Sequence, residues 1–172
     1  MQRIFAAAIA FTVVVSVAAG SAEAVERKGF VIGFGAGGGQ TRIEGESNTA
    51  LGSDFHIGAM LGDKTALLLE SYGVTDSEEG ITVSLGVAGV AVQRWLGDKA
   101  WLKAGIGQGF AYASGDRESE LKSHGFGILG AAGYELVQKT HFTLDLQGRY
   151  STSSKDDLRI NNFGVNLGFN WW

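Results

Sequence analysis

The chain has 172 residues and a formal net charge of -4; it contains 27 glycines but neither cysteine nor proline. The absence of cysteine excludes disulfides, thiolate metal sites and cysteine nucleophiles. The negative charge argues against a nucleic-acid partner, because binding to phosphates requires a basic surface. The absence of proline suits long β-strands, since proline removes a donor from the hydrogen-bond ladder.

The first 24 residues have the pattern of a secretory signal. Met1-Gln2-Arg3 supplies a positive start, residues 4–19 are almost entirely apolar, and Ala22-Glu23-Ala24 is a small-x-small cleavage motif. A permanent membrane helix would need about 20 apolar residues, and this stretch is shorter. We therefore expect a cleavable signal peptide over residues 1–24 and a single domain over residues 25–172.

Eight segments of about ten residues follow, each alternating between two faces with the period of a β-strand. One face is bulky and apolar, and in chain order it comprises Phe30, Ile32, Phe34 and Ala36; Phe55, Ile57, Ala59 and Leu61; Leu67 and Leu69; Ile81, Val83, Leu85 and Val87; Leu102, Ala104, Ile106 and Phe110; Phe126, Ile128, Ala132, Tyr134 and Leu136; Phe142, Leu144, Leu146 and Tyr150; and Phe163, Val165, Leu167, Phe169 and Trp171. Strand two places Asp54 and His56 on the other face. In the fourth segment we expect a bulge near Gly89, which leaves the faces of Gln93 and Arg94 open.

The connections between these segments alternate in length. Short turns at 62–64, 97–99 and 138–140 separate longer polar stretches at 40–53, 75–80, 114–123 and 151–159. Three short and four long connections put both termini on the side of the short turns. This is the topology of an outer-membrane barrel with periplasmic turns and extracellular loops.

The amino-acid composition of the second face distinguishes a membrane barrel from a soluble lipocalin-like barrel. A water-facing surface should be rich in charged residues, yet on strands one, six and eight this face is mainly glycine, alanine and asparagine. Such small residues suit the narrow interior of an eight-stranded barrel. Aromatic residues near both ends of the apolar face are predicted to form interfacial girdles, namely Phe30, Phe126, Tyr134, Phe142, Tyr150, Phe163 and Trp171.

Three segments carry a resemblance to a known family. The opening strand at 29–37, the turn at 97–99 followed by 101–107, and the ending at 167–172 resemble the small outer-membrane β-barrel proteins of Gram-negative bacteria, labelled OmpA/OmpX-like or porin family. The resemblance implies a monomer in the outer membrane, contact with its lipid and lipopolysaccharide, and assembly by the barrel-assembly machinery with periplasmic chaperones. In this chain the terminal aromatic series ends on Trp171 and is out of phase with Trp172.

Two motifs that suggest a cofactor or metal have simpler interpretations. Residues 33–38 satisfy G-x-G-x-x-G, but no apolar helical period follows, and dinucleotide binding requires that helix. The three histidines His56, His124 and His141 fall at different heights of the barrel and should not converge on a zinc ion. We expect no cofactor and no metal.

Two constellations bear on function. Ser123-His124 with Glu118 or Glu120 is the only local hydrolase candidate, and adjacent strand residues point to opposite faces, so the protein is expected not to be an enzyme. Inward-facing charges should pair in the narrow lumen, and we expect a polar plug that includes Glu70, Lys103, Glu135, Asp145 and Arg149.

The sequence therefore predicts an all-β, eight-stranded antiparallel transmembrane barrel with a structural or surface-interaction role through its extracellular loops. A lipid A-modifying enzyme of deacylase or acyltransferase type and a narrow pore remain the alternatives.

Overall fold

The computed structural model describes residues 25–78, 81–114, 119–155 and 158–172, and the predicted signal peptide lies outside these ranges. The chain forms a closed barrel of eight antiparallel strands in sequential order. The strands are β1 (Phe30–Ile43), β2 (Glu46–Gly62), β3 (Thr65–Glu78), β4 (Ile81–Trp95), β5 (Ala100–Ser114), β6 (Ser119–Lys139), β7 (Phe142–Lys155) and β8 (Leu158–Trp171). None of the described residues belongs to a helix long and apolar enough to cross a membrane.

The first and last strands pair and close the sheet. Phe34 lies opposite Phe169, and the ladder continues from Ile32 opposite Trp171 to Ile43 opposite Ile160. Closure satisfies the backbone donors and acceptors that would otherwise be exposed at two sheet edges. Such closure is what allows a β-sheet to reside in lipid.

The described part of the chain begins and ends at the end of the barrel that carries the short turns, as predicted. The backbone N–H of Glu26 donates to Thr140 O over 3.1 Å, and that of Trp172 donates to His141 O over 3.2 Å. We call this the turn end and the opposite end the mouth.

The polar stretches predicted as long loops are largely strand, which corrects that expectation. β1 and β2 are joined by Glu44 and Gly45 alone, whose φ values of 49° and 95° suit a tight two-residue hairpin turn. The backbone ladder continues through these polar residues: Thr75 on β3 pairs with Ser84 on β4, and their hydroxyl oxygens lie 2.8 Å apart. The tips at 79–80, 115–118 and 156–157 lie outside the described residues.

The outer surface is an apolar belt. Large side chains predicted on the apolar face are widely exposed on β1, β3, β5 and β8, including Phe30, Leu69, Ile106 and Val165. The opposite face of these strands points into the barrel, where Val31 and Leu68 are each 1 % exposed.

The fourth strand corrects two further predictions. β4 pairs with β3 and β5 without a register shift, so the bulge near Gly89 is wrong; the shifts lie at 60/62, 108/110 and 135/137. Val87 is buried inside the barrel, so its predicted place on the outer apolar face is wrong; Gln93 is also buried inside, while Val90 and Val92 are each 46 % exposed on the outside.

The same inward phase continues to the start of β4. The odd-numbered residues Ile81, Val83 and Leu85 therefore line the inner wall of the mouth, and their predicted place on the outer apolar face is wrong. Alternation separates two faces but does not say which one lies inside, and at this height the outer face carries hydroxyl groups instead.

Candidate functional site

The centre of the lumen is built around one arginine. Arg149 on β7 donates from Nη1 to Glu70 Oε1 and from Nη2 to Asp54 Oδ2, the latter over 2.8 Å. Its Nε donates to Gln147 Oε1 over 2.7 Å, and the side chain is 1 % exposed. Tyr72 covers the guanidinium, with its ring centroid 5.5 Å from Arg149 Cζ. A planar group with five donors is suited to bridging two carboxylates in this way.

A lysine completes the charge balance at this level. Lys103 Nζ on β5 lies 2.7 Å from Glu70 Oε2, and both side chains are fully buried. Two cations, Lys103 and Arg149, thus face two carboxylates, Glu70 and Asp54. Because an unpaired charge is very costly away from water, this two-to-two balance is what permits four ionic side chains to be buried together.

Neutral polar groups surround the ionic centre. Asn166 Nδ2 donates to Asp54 Oδ1 over 2.9 Å, and His56 Nε2 donates to Asn170 Oδ1 over 2.9 Å. Both asparagines lie on the inner face of β8, which consists mainly of asparagine and glycine. Space is tight here: a Cβ on Gly33 would lie 2.4 Å from His56 Nε2, so the His56 side chain would have to shift.

The ligating atoms of Asp54, His56 and Glu70 lie within 4.8 Å of one another, a spacing compatible with a metal ion. Both carboxylates are already ion-paired with Arg149, and Glu70 also contacts Lys103. A divalent cation would have to displace these buried cations. The residues therefore fit an internal ion-pair network better than a metal centre.

The predicted plug residues separate into three groups rather than forming one cluster. Glu70, Lys103 and Arg149 are in direct contact. Asp145 is instead held by neutral donors: Trp101 Nε1 over 3.1 Å and Asn170 Nδ2 over 3.0 Å, both on Oδ2.

The third group seals the turn end. Glu135 on β6 accepts from Trp95 Nε1 over 2.7 Å and from Arg27 Nη2 over 2.6 Å. The Arg27 guanidinium lies 4.9 Å from the Trp95 ring centroid, and Trp172 packs edge-on against the same ring at 5.2 Å. Residues from both ends of the domain therefore meet at this opening.

A polar layer spans the lumen on the mouth side of Arg149. Thr41 Oγ1 donates to Asn162 Oδ1 over 2.8 Å, and Asn162 Nδ2 donates to Leu85 O over 3.1 Å. Thr41 and Asn162 are 8 % and 1 % exposed.

Sequence reasoning missed several of these residues. Strand phase predicts Asp54 and His56 on the inner face, but no local signal in the sequence indicates that Asp54 contacts Arg149 or that His56 contacts Asn170. Arg27 lies before the first strand, and no pattern in the sequence indicated its contact with Glu135, 108 residues away.

The hydrolase candidate cannot be placed. Glu118 lies outside the described residues, as do the side chains of Glu120, Ser123 and His124. His56 bonds to Asn170, and His141 lies exposed in the β6–β7 turn.

The seven aromatic residues predicted at the interfaces divide between the two ends of the barrel. Those at the turn end are Phe30, Tyr134, Phe142 and Trp171, and those nearer the mouth are Phe126, Tyr150 and Phe163. The ring centroids of Phe142 and Trp171 lie 5.4 Å apart, and those of Tyr150 and Phe163 lie 4.9 Å apart. Phe142 and Tyr150 are half-buried, whereas the other five are exposed.

A closed eight-stranded antiparallel sheet with an apolar outer belt and an ion-paired interior defines a small transmembrane β-barrel of the outer-membrane type. Several solved structures share this fold. Neisserial surface protein A has a TM-score of 0.65 at 12 % identity, covering 83 % of this chain and 96 % of that one. The attachment invasion locus protein Ail of Yersinia pestis has a TM-score of 0.51 at 15 % identity, covering 84 % and 99 %. The N-terminal β-barrel domain of OprF from Pseudomonas aeruginosa has a TM-score of 0.52 at 14 % identity, covering 85 % and 100 %.

No protein-family model matches the chain, and no curated protein does either. At these identities the likeness to solved structures establishes the fold, and the function has to be argued from the site.

Proposed function

We propose that this protein is a non-enzymatic barrel of the outer membrane of a Gram-negative bacterium, with a structural or surface-interaction role. In this proposal the barrel is a rigid, non-conducting stem, and the polar strand ends and hairpins at the mouth make contacts outside the cell. The observation that supports this proposal most strongly is the filled lumen. Buried ionic and hydrogen-bonded side chains cross the interior at three heights, which are marked by Glu135, Glu70 and Thr41.

The buried contacts of the interior favour a structural role over a catalytic one. The carboxylates of Asp54 and Glu70 are engaged by Arg149 rather than aimed into an open cleft. A general acid or base must reach a substrate proton, and these groups are enclosed by the barrel wall.

The outer surface supports the membrane location. The apolar belt with aromatic residues towards both ends is the surface expected of a protein in contact with lipid and lipopolysaccharide. Export by a signal peptide, assembly by periplasmic chaperones and the barrel-assembly machinery, and a monomeric state without nucleic-acid partners belong to the same proposal.

Fractionation tests the location. We expect the protein in the outer-membrane fraction, with an N-terminus beginning near Val25 and faster gel migration before heating than after it. Recovery in the soluble periplasm would contradict the proposal.

Lipid A mass spectrometry tests the non-enzymatic role. Deletion and wild-type cells should give the same acyl-chain pattern, with a deletion strain carrying the gene on a plasmid as the control. A plasmid-dependent gain or loss of one acyl chain would establish the lipid A enzyme instead.

Single-channel recording tests the filled lumen. The purified protein in planar bilayers should give no steady conductance steps, whereas a known open porin in the same bilayers should. Stable steps at one amplitude would identify a narrow pore.

A further inference from the structure

The mouth of the barrel contains a cavity that the proposed function does not use. The ends of β1 to β4 enclose a space of about 880 Å³, within the range of small-molecule sites. It is lined by Thr41, Ile43, Glu44, Glu46, Asn48, Ala50, Val74, Asp76, Ile81, Val83 and Leu85.

The β4 side of this cavity has an aliphatic inner face. Ile81 and Val83 point inward, yet they are 55 % and 38 % exposed. The outer face at the same height carries hydroxyl groups instead, since Ser77 Oγ and Thr82 Oγ1 lie 2.9 Å apart across β3 and β4. Neither lipid contact nor lumen packing requires an aliphatic inner wall here. Exposed aliphatic side chains gathered in a concave site indicate a binding surface.

The rim of the cavity is acidic. Glu44, Glu46 and Asp76 are exposed and line the opening. Among the described residues, no lysine, arginine or histidine forms an ion pair with any of these three carboxylates. The cavity therefore presents three negative charges above an aliphatic wall.

The floor is closed. Val74 is 3 % exposed at the base, and Thr41 with its partner Asn162 forms the polar layer beneath. A ligand that enters from the mouth side meets this layer before it reaches the ionic centre.

We propose that this cavity binds a small organic cation with an aliphatic arm. The arm lies against Ile81, Val83 and Leu85, and the positive group lies among Glu44, Glu46 and Asp76. The acidic rim selects the charge and the aliphatic wall selects the arm, so both parts are needed. The inference goes beyond the proposed role, and its biological sense rests on the proposed orientation, with the mouth outside the cell.

The test uses purified protein in nanodiscs of zwitterionic phosphatidylcholine, which do not concentrate cations by charge. Hexyltrimethylammonium is titrated while the methyl signals of Ile81 and Val83 are followed by NMR. Tetramethylammonium carries the charge without the arm, and hexanoate carries an arm with the opposite charge. We expect saturable shifts with hexyltrimethylammonium and affinities at least about tenfold weaker with the other two.

Variants with matched controls locate the site. Val83→Asn should weaken binding by about tenfold through lost apolar contact, whereas Leu51→Asn should not, because Leu51 is an exposed aliphatic residue that faces outward. Asp76→Asn should weaken binding by about threefold, whereas Asp63→Asn at the turn end should not. Asp76 is exposed, so its variant remains informative if Val83→Asn fails to fold.

The absence of saturable shifts, or equal binding of hexanoate, would overturn the inference. So would variants at Val83 and Asp76 that bind like their controls. Because these titrations use purified protein, a failure here is distinct from a failure of the proposed location, which fractionation reports.

Discussion

At the scale of single residues, the ionic centre of the lumen depends on charge pairing around Arg149. Arg149 contacts two carboxylates, those of Asp54 and Glu70, and all three side chains are almost fully buried. Removing one member of such a network leaves a buried charge without a partner, which costs more than the pair itself contributes. The stability of the barrel should therefore respond sharply to this one position.

We predict that Arg149→Met lowers the free energy of unfolding by about 3 to 5 kcal/mol, because Glu70 and Asp54 lose their shared partner. Urea titration of the folded barrel, followed by tryptophan fluorescence, measures the change. The matched control is Arg94→Met, since Arg94 is exposed and donates to Thr65 Oγ1 over 3.0 Å. Equal midpoints for the two variants would show that the buried network is energetically unimportant.

At the scale of the elements, β4 shows how closely neighbouring strands approach on the inner face. Gly89 on β4 lies opposite Gly107 on β5. A Cβ added to Gly89 would lie 2.1 Å from Ile106 O and 2.4 Å from Gly107 Cα. The glycine is thus required by contact between backbones rather than by a bulge.

We predict that Gly89→Ala destabilises the barrel by about 1 to 3 kcal/mol, because β4 and β5 must move apart to admit the methyl group. Gly148→Ala is the control, since a Cβ there meets nothing within 4 Å. The control should be neutral or slightly stabilising. The difference in urea midpoint between the two alanine variants is the measurement, and no difference would contradict the close approach.

Two adjacent tryptophans, Trp171 at the end of β8 and Trp172 just after it, lie in different environments. Trp171 faces outward, and its ring centroid lies 5.6 Å from that of Phe34 and 5.4 Å from that of Phe142. Trp172 turns inward and packs on Trp95. The apparent phase shift at the end of the sequence therefore reflects two roles, an outer aromatic series ending at Trp171 and an inner cap at Trp172.

We predict that Trp172→Ala leaves the amount of membrane-inserted protein unchanged but lowers stability by about 0.5 to 1.5 kcal/mol through the lost aromatic pair. Trp171→Ala should instead reduce insertion, because it removes an outward aromatic side chain that anchors the barrel at the membrane interface. Quantifying the heat-modifiable band in membrane fractions separates the two effects. A larger insertion defect in Trp172→Ala would reverse this assignment.

At the scale of the whole molecule, the barrel has two different ends. The turn end holds both termini and the Arg27 to Glu135 contact, whereas the mouth carries the extended strands and the acidic cavity. The proposed role requires the mouth to lie outside the cell.

Because the chain has no cysteine, single cysteines report this orientation without background. We predict that Ser47→Cys, exposed near the mouth, reacts with a membrane-impermeant maleimide on intact cells. Asp63→Cys, exposed at the turn end, should react only after the outer membrane is permeabilised. The reverse pattern would invert the barrel and remove the cavity from the cell surface.

The sequence predicted the eight strands, their antiparallel order and the position of the termini. It also identified the inner charges Glu70, Lys103 and Arg149. These features follow from a period of two residues and from the spacing of the turns, both of which are local in the chain. It did not predict how far the strands continue into the polar stretches, because polar residues also complete a β-ladder.

The partners of the buried charges were decided only by the tertiary structure. Arg149 contacts Glu70 and Asp54 across 79 and 95 residues of sequence, and such contacts depend on the stagger of strands around a closed barrel. The inner position of Ile81, Val83 and Leu85 is a consequence of the same closure. By itself the sequence determined a barrel with two unlike faces; barrel closure determined which side chains meet inside it, and so where a binding site could form.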